Sequence, residues 1–146
     1  MLKIRDVLKT KTRDDDIWSI ASQETAYKAL EIMANKDIGA LLVIDEEQLV
    51  GIFSERDYTR KVILKGKSSK KTTVRELMNS PVFTISPEKS IEECMFLMTA
   101  KHFRHIPVIE SGKLIGVVSI GDVVSAIITT QKVEIEDLKN YISACV

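Results

Sequence analysis

A chain that repeats its own pattern at a fixed offset has to fold as two similar units, and that property constrains this sequence most. Shifted by 65 residues, Ile20 meets Ile85, Met33 meets Met98, Lys36 meets Lys101 and Val43-Ile44 meets Val108-Ile109. Leu49, Gly51, Ser54 and Asp57 meet Leu114, Gly116, Ser119 and Asp122, which makes nine identities over the 38 positions from 20 to 57 without a gap. Other pairs keep their polarity, such as Leu30 with Met95 and Val50 with Ile115. Further back the repeat changes length. Ile4-Arg5-Asp6-Val7-Leu8 resembles Val74-Arg75-Glu76-Leu77-Met78, but lies 16 positions ahead of Ile20 where the second lies 11 ahead of Ile85. The first half thus carries five extra residues, most simply within Lys11-Thr12-Arg13-Asp14-Asp15-Asp16. Halves of about 60 residues are marginal alone. Two that bury a common face remove that difficulty.

Each half reads as β-α-β-β-α. A short amphipathic turn precedes a short strand, Trp18 to Ile20 in one half and Val82 to Ile85 in the other. A helix follows, with apolar positions Ala26, Ala29, Leu30 and Met33, then Ile91, Cys94, Met95 and Met98, at the spacing of one buried helical face. Ser90 with Glu93 forms a capping box. Two apolar runs come next, Ala40 to Ile44 with Leu49 to Phe53, and Ile106 to Ile109 with Leu114 to Val118, the latter joined through Ser111-Gly112 as a hairpin. Terminal helices are expected from Glu55 to Leu64 and from Ile120 to Thr130. The expected organisation is a first repeat over 2–65 with its N-terminal helix, a linker over 66–73, a second repeat over 74–130, and a last amphipathic helix over 131–146. The fold class is α/β (α+β), two tandem repeats packed as a pseudo-twofold pair.

Composition narrows the function. With 21 Lys plus Arg against 21 Asp plus Glu, the net charge is zero, which argues against sequence-independent nucleic-acid binding. No apolar run approaches a membrane span, and charges stand where a signal peptide has its apolar stretch, so a cytoplasmic protein is expected. Two cysteines and two histidines make neither a disulfide framework nor a metal cluster. No nucleophile–base pair or glycine-rich catalytic loop is visible, so no enzyme and no catalytic residue is expected.

The motif that ends each half is Gly-h-h-Ser-x-x-Asp (h apolar): Gly51-Ile52-Phe53-Ser54-Glu55-Arg56-Asp57 and Gly116-Val117-Val118-Ser119-Ile120-Gly121-Asp122. The second half adds Arg104-His105-Ile106-Pro107-Val108-Ile109 as a strand opening. Two tandem β-α-β-β-α copies with these motifs resemble a pair of cystathionine-β-synthase (CBS) domains, a Bateman module, over about residues 2 to 130. The resemblance implies two clefts between the sheets that take adenine nucleotides such as AMP, ADP, ATP, NAD or S-adenosylmethionine, and frequent homodimers of pairs. It implies an energy- or redox-sensing regulatory module, favouring AMP or NAD-type ligands, that reports to an unknown protein effector. The alternative is a structural or protein-interaction module with unoccupied clefts.

The residue types suit a nucleotide on their own chemistry. Ser54 and Ser119 end a strand and open a helix, where the first amide N–H groups and the positive dipole end attract phosphate. Asp57 and Asp122, three residues on, can accept hydrogen bonds from a ribose diol. The glycines let a backbone or ring come close. The competing reading is that Ser-x-x-Asp only caps its helix. The halves differ in positive charge. Arg56 lies inside the first motif with Arg60 and Lys61 on the same helix; Gly121 replaces Arg56 in the second, which instead has Arg104 and His105 where the first has Gly39 and Ala40. His105 stands as a phosphate contact or a core histidine. Trp18 reads as a hydrophobic plug rather than a base-stacking ring, and Cys94 as core. Cys145 reads as a free thiol, Asp14-Asp15-Asp16 as an exposed acidic loop rather than a cation site, and Met95, Phe96 and Met98 as core packing. Apolar residues on the terminal helices, among them Val62, Ile63, Val123, Val124, Ala126, Ile127 and Ile128, point to a homodimer.

Overall fold

Two hairpins carry the fold, and each is set by its turn. In β2 (Ala40–Asp45) and β3 (Gln48–Ser54) the strands pair antiparallel from Ala40↔Ser54 to Asp45↔Gln48, around Glu46 and Glu47 at φ of 48° and 66°. In β4 (His105–Glu110) and β5 (Lys113–Ser119) the pairing runs from His105↔Ser119 to Glu110↔Lys113, around Ser111 and Gly112 at 52° and 76°. Two successive left-handed residues match the twist of a two-residue hairpin turn. A register shift recurs at the same place in both hairpins, Val43/Ile44 and Val108/Ile109. This computed structural model describes residues 2–11 and 18–144; the acidic run 14–16 and Cys145 lie outside them.

The remaining elements are α1 (Ile4–Thr10), β1 (Ser19–Ile20), α2 (Ala26–Lys36), α3 (Glu55–Tyr58) with a π-helix over Thr59–Ile63, α4 (Val74–Leu77), α5 (Ile91–Lys101) and α6 (Ile120–Ala144). Thr25 and Ser90 cap α2 and α5 with bonds from Lys28 and Glu93 N–H of 3.1 Å each. The mixed α/β class and the order β-α-β-β-α stand in both halves, with one asymmetry. β1 pairs parallel to β2, giving a sheet ordered β1-β2-β3, whereas the expected strand over Val82 to Ile85 is reduced to a single bridge from Ile85 to Val108. The cause is one residue. Leu42 N–H donates to Trp18 O at 3.2 Å; its counterpart Pro107 has no N–H to offer Phe83. Two helix expectations also change. The stretch 55–64 is four α-helical residues followed by a π-helix, and the expected break between 130 and 131 is absent, because α6 runs unbroken for 25 residues.

The compact units cross the sequence repeats. One comprises Met1–Asp16 with Phe83–Val146, the other Ile17–Val82. The opening helix of each sequence repeat thus sits in the unit built on the other: α1 with the second hairpin, α4 with the first. The two attachments match. Ile4 N–H donates to Lys89 O at 2.9 Å and Val74 N–H to Glu24 O at 2.8 Å, beside bridges Lys3↔Ser90 and Thr25↔Thr73. Residues 66–73 do more than connect. Thr72 O and Ser69 O accept the N–H groups of Ala26 and Tyr27, the otherwise orphaned start of α2.

The first-hairpin core gathers Ile20, Met33, Leu41, Val43, Phe53, Val62, Val74 and Leu77; the second gathers Ile4, Val7, Ile91, Cys94, Met98, Ile106, Val118 and Val123. Cys94 is core as expected, and burial pushes its thiol up to about 11. Phe96 corrects the sequence reading, for it is 72% exposed while Met95 packs and Met98 is buried. Trp18 packs against the first core, with the Lys36 ammonium 4.3 Å over its ring.

Candidate functional site: two Ser-x-x-Asp helix starts

Both motifs fold as capping boxes. In the first, Ser54 N–H and Oγ donate to Asp57 Oδ2 at 2.9 and 3.0 Å, and Asp57 N–H donates back to Ser54 Oγ at 3.2 Å. In the second, Ser119 N–H donates to Asp122 Oδ2 at 2.8 Å and Asp122 N–H to Ser119 Oγ at 3.1 Å. The capping reading of the sequence therefore describes real contacts. It leaves open what the other carboxylate oxygen does, and there the motifs part.

Around Asp57, Asn79 Nδ2 donates a third bond to Oδ2 at 3.0 Å, and the Lys61 ammonium stands 3.7 Å from Oδ1. Lys61 is itself held by Leu77 O at 2.9 Å and Asn79 Oδ1 at 3.1 Å. Asn79 is fixed by reciprocal backbone bonds with Ile52, 2.9 and 3.1 Å. Arg56 lies half-buried in the first turn of α3, and Arg60 is exposed.

Around Asp122, a single side chain replaces this set. Lys11 Nζ donates to Asp122 Oδ2 at 2.9 Å and to Val117 O at 2.8 Å. The bonds to Asp122 from described residues end on Oδ2. Burial pushes the Asp122 carboxyl up, but the Ser119 N–H and the Lys11 ammonium outweigh it and hold it below its usual value. His105, opposite Ser119 across the hairpin, is pushed down by burial, against the pull of Asp122 and with the push of Lys11 and Arg104. Burial thus favours its neutral form. Arg104 is exposed, its carbonyl accepting the Ile120 N–H at 2.8 Å. A cavity of about 940 Å³ between α1, α5 and α6 reaches Lys11 and Asp122, with Thr10, Ser125 and Thr129 along its wall. Its other charged residues, Asp6, Glu92 and Glu134, are acidic, so it favours a sugar or base over a polyphosphate.

The structure thus brings Ser54, Arg56 and Asp57 onto one helix start, and Ser119, Asp122 and His105 around another, with Arg104 at the strand mouth. Lys11, Asn79 and the anchoring role of Lys61 escaped sequence reading. They lie outside the gapless part of the repeat, and Lys11 falls at the edge of the length change. The motif glycines serve packing within their own units. A Cβ on Gly51 would lie 2.5 Å from Met78 Sδ, and one on Gly116 would lie 2.8 Å from Leu8 Cδ2. Leu8 and Met78 hold equivalent places in the repeat. Among the described residues no group of His, Cys, Asp and Glu could hold a metal ion, and no helix is long and apolar enough to cross a membrane.

Doubled units with paired Ser-x-x-Asp helix starts define a tandem pair of small α/β domains. The CBS domain family model matches residues 4–63 and 74–129, and the chain belongs to the CBS domain family. CBS pairs are generally regulatory or ligand-binding modules, and stand-alone members are typically regulatory rather than catalytic. The CBS domain-containing protein CBSX3, mitochondrial, of Arabidopsis thaliana is 40% identical over 147 residues, covering 95% of this chain and 71% of its own length. A CBS-domain protein of Burkholderia ambifaria MC40-6 has a solved structure that superposes with a TM-score of 0.85 at 45% identity, over 88% of this chain and 96% of that one. The CBS-domain containing protein ATU1752 of Agrobacterium tumefaciens gives 0.79 at 34% identity, over 85% and 98%.

Proposed function

We propose that this chain is a non-catalytic regulatory module that binds an adenine nucleotide, AMP or the AMP half of NAD ahead of ADP or ATP, with the Ser119/Asp122 helix start as the stronger site. The observation that carries this reading is Asp122 at the edge of the 940 Å³ cavity, with the bonds it receives from described residues gathered on Oδ2. Oδ1 accepts from a ribose hydroxyl while Oδ2 stays committed to Ser119 and Lys11. The short supply of positive groups suits one or two phosphates rather than three. Asp57 has a weaker claim, because Asn79 and Lys61 already occupy both of its oxygens. Binding there requires Asn79 or Lys61 to move.

Calorimetric titration with AMP, ADP, ATP and NAD tests the reading. AMP or NAD is expected to bind more tightly than ATP. No heat and no thermal shift with any of the four at millimolar concentration removes the nucleotide and leaves a protein-interaction module. Turnover of a bound nucleotide during the incubation removes the non-catalytic half.

A further inference from the structure

The last fourteen described residues of α6, 131–144, are exposed along the whole helix surface, so no described part of the chain covers them. A helix of that length without a packed face is marginal in water, yet its apolar residues are ordered. Val124, Ile128, Gln131, Ile135, Leu138 and Ile142 follow one another at intervals of four, three, four, three and four. That is a heptad seam with Ile128, Ile135 and Ile142 at the a positions and Val124, Gln131 and Leu138 at d. Each apolar seam residue is exposed, Leu138 by 60%. The seam lies roughly a quarter turn from the face that Val123, Ala126 and Ile127 bury in their own core. This corrects the sequence-based case for a dimer, which drew on those three residues together with Val124 and Ile128.

We propose that α6 pairs with α6 of a second copy of this chain as a parallel, two-stranded coiled coil. β-branched isoleucine at all three a positions, with Leu138 at one of the d positions, fits two strands. The flanking charges choose the occupant and its direction. Glu134 occupies a g position, and Lys132 and Lys139 occupy e positions. A parallel, in-register copy sets Glu134 against Lys139 of its partner, twice by symmetry. An antiparallel copy sets lysine against lysine and glutamate against glutamate. Gln131 is the one polar seam position, and in a parallel in-register pair it faces its own counterpart. Val133 falls outside the seam and is not explained by it. The anchoring of Val123 in the core supplies a helix already started, which a seam of under three heptads needs.

Light scattering and oxidative cross-linking of the whole chain test this. The wild type is expected to show twice the chain mass at micromolar concentration. Leu138→Asp is expected to show a single chain mass with both hairpin cores still folded by near-ultraviolet circular dichroism. In a Cys145→Ser background, Leu138→Cys is expected to oxidise to a covalent dimer, while Asn140→Cys, at the outward f position, does not. Glu134→Lys is expected to weaken the dimer several-fold, and the added Lys139→Glu to restore it. A monomeric or trimeric wild type, a Leu138→Asp protein that stays dimeric, or equal cross-linking at 138 and 140 overturns the proposal. None of these readings depends on nucleotide binding.

Discussion

The two hairpin units solve one problem with different parts. Each has to hold an aspartate in the first turn of a helix and tie the preceding helix to the hairpin. The first uses backbone pairing of Asn79 with Ile52, the Asn79 amide on Asp57, and Lys61 reaching from the π-helix to Leu77 O. Among the described residues the second uses Lys11, on Val117 O and Asp122 together. Val117 and Ile52 are equivalent positions, so both clamps close on the same strand atom. At Asp57 an amide and a flanking ammonium engage both carboxylate oxygens; at Asp122 the bonds from described residues gather on Oδ2. The second motif also opens a 25-residue α-helix, whereas the first opens four residues before the helix widens.

The largest expected difference between the units is in their cores. Phe53 and Val118 are equivalent and both fully buried. Phe53→Ala should cost about 3–5 kcal/mol, and Val118→Ala clearly less, in urea unfolding followed by circular dichroism. Equal losses break the idea that the first core is built around one aromatic ring.

Next come the motif glycines. Alanine at Gly51 meets Met78 Sδ and also the Asn79 carbonyl, which the Ile52 pairing holds in place; alanine at Gly116 meets only the end of Leu8. Gly51→Ala is expected to destabilise by about 1–3 kcal/mol and Gly116→Ala by less. Leu8→Ala should rescue Gly116→Ala more fully than Met78→Ala rescues Gly51→Ala.

Acidification acts on the second motif through His105 and Asp122. Each binds protons more readily unfolded than folded, so stability falls as pH falls. For His105 the loss begins below its usual value near 6.5; for Asp122 it follows below about 3.8. His105→Gln is expected to flatten the first phase of a melting-temperature profile, and Lys11→Met to shrink the second. A profile unchanged by either substitution contradicts the assignment.

The smallest effect is in the turns. Glu47 holds a φ of 66° where its counterpart Gly112 holds 76°. Glu47→Gly is expected to stabilise by about 1 kcal/mol, giving the first turn what the second already has.

Much of this was legible in the sequence because the repeat was. Hairpins, capping serines and the paired aspartates all lie in the gapless 38 positions. What surprised lies at their margins or depends on one atom. Pro107 reads as a strand opener, but its missing N–H is what shortens the second sheet. Lys11 and Asn79 sit where the two halves differ in length, so no alignment brings them together. The unbroken α6 has a signal in the sequence, for no glycine or proline stands between Asp122 and Ala144. The crossing of α1 and α4 between units has no local signal, since a helix's own residues do not say which hairpin it joins.

The second motif, whose Asp122 takes its bonds from described residues on Oδ2, is proposed as the nucleotide site. Titration of AMP into Asp122→Ala and Asp57→Ala side by side tests it most directly. A charge-assisted hydrogen bond contributes roughly 1.5–3 kcal/mol, so Asp122→Ala should lose at least about tenfold in affinity. Asp57→Ala should lose less. Equal affinity in wild type and Asp122→Ala, with only the melting temperature lowered, would contradict the account and leave the aspartate a helix cap alone.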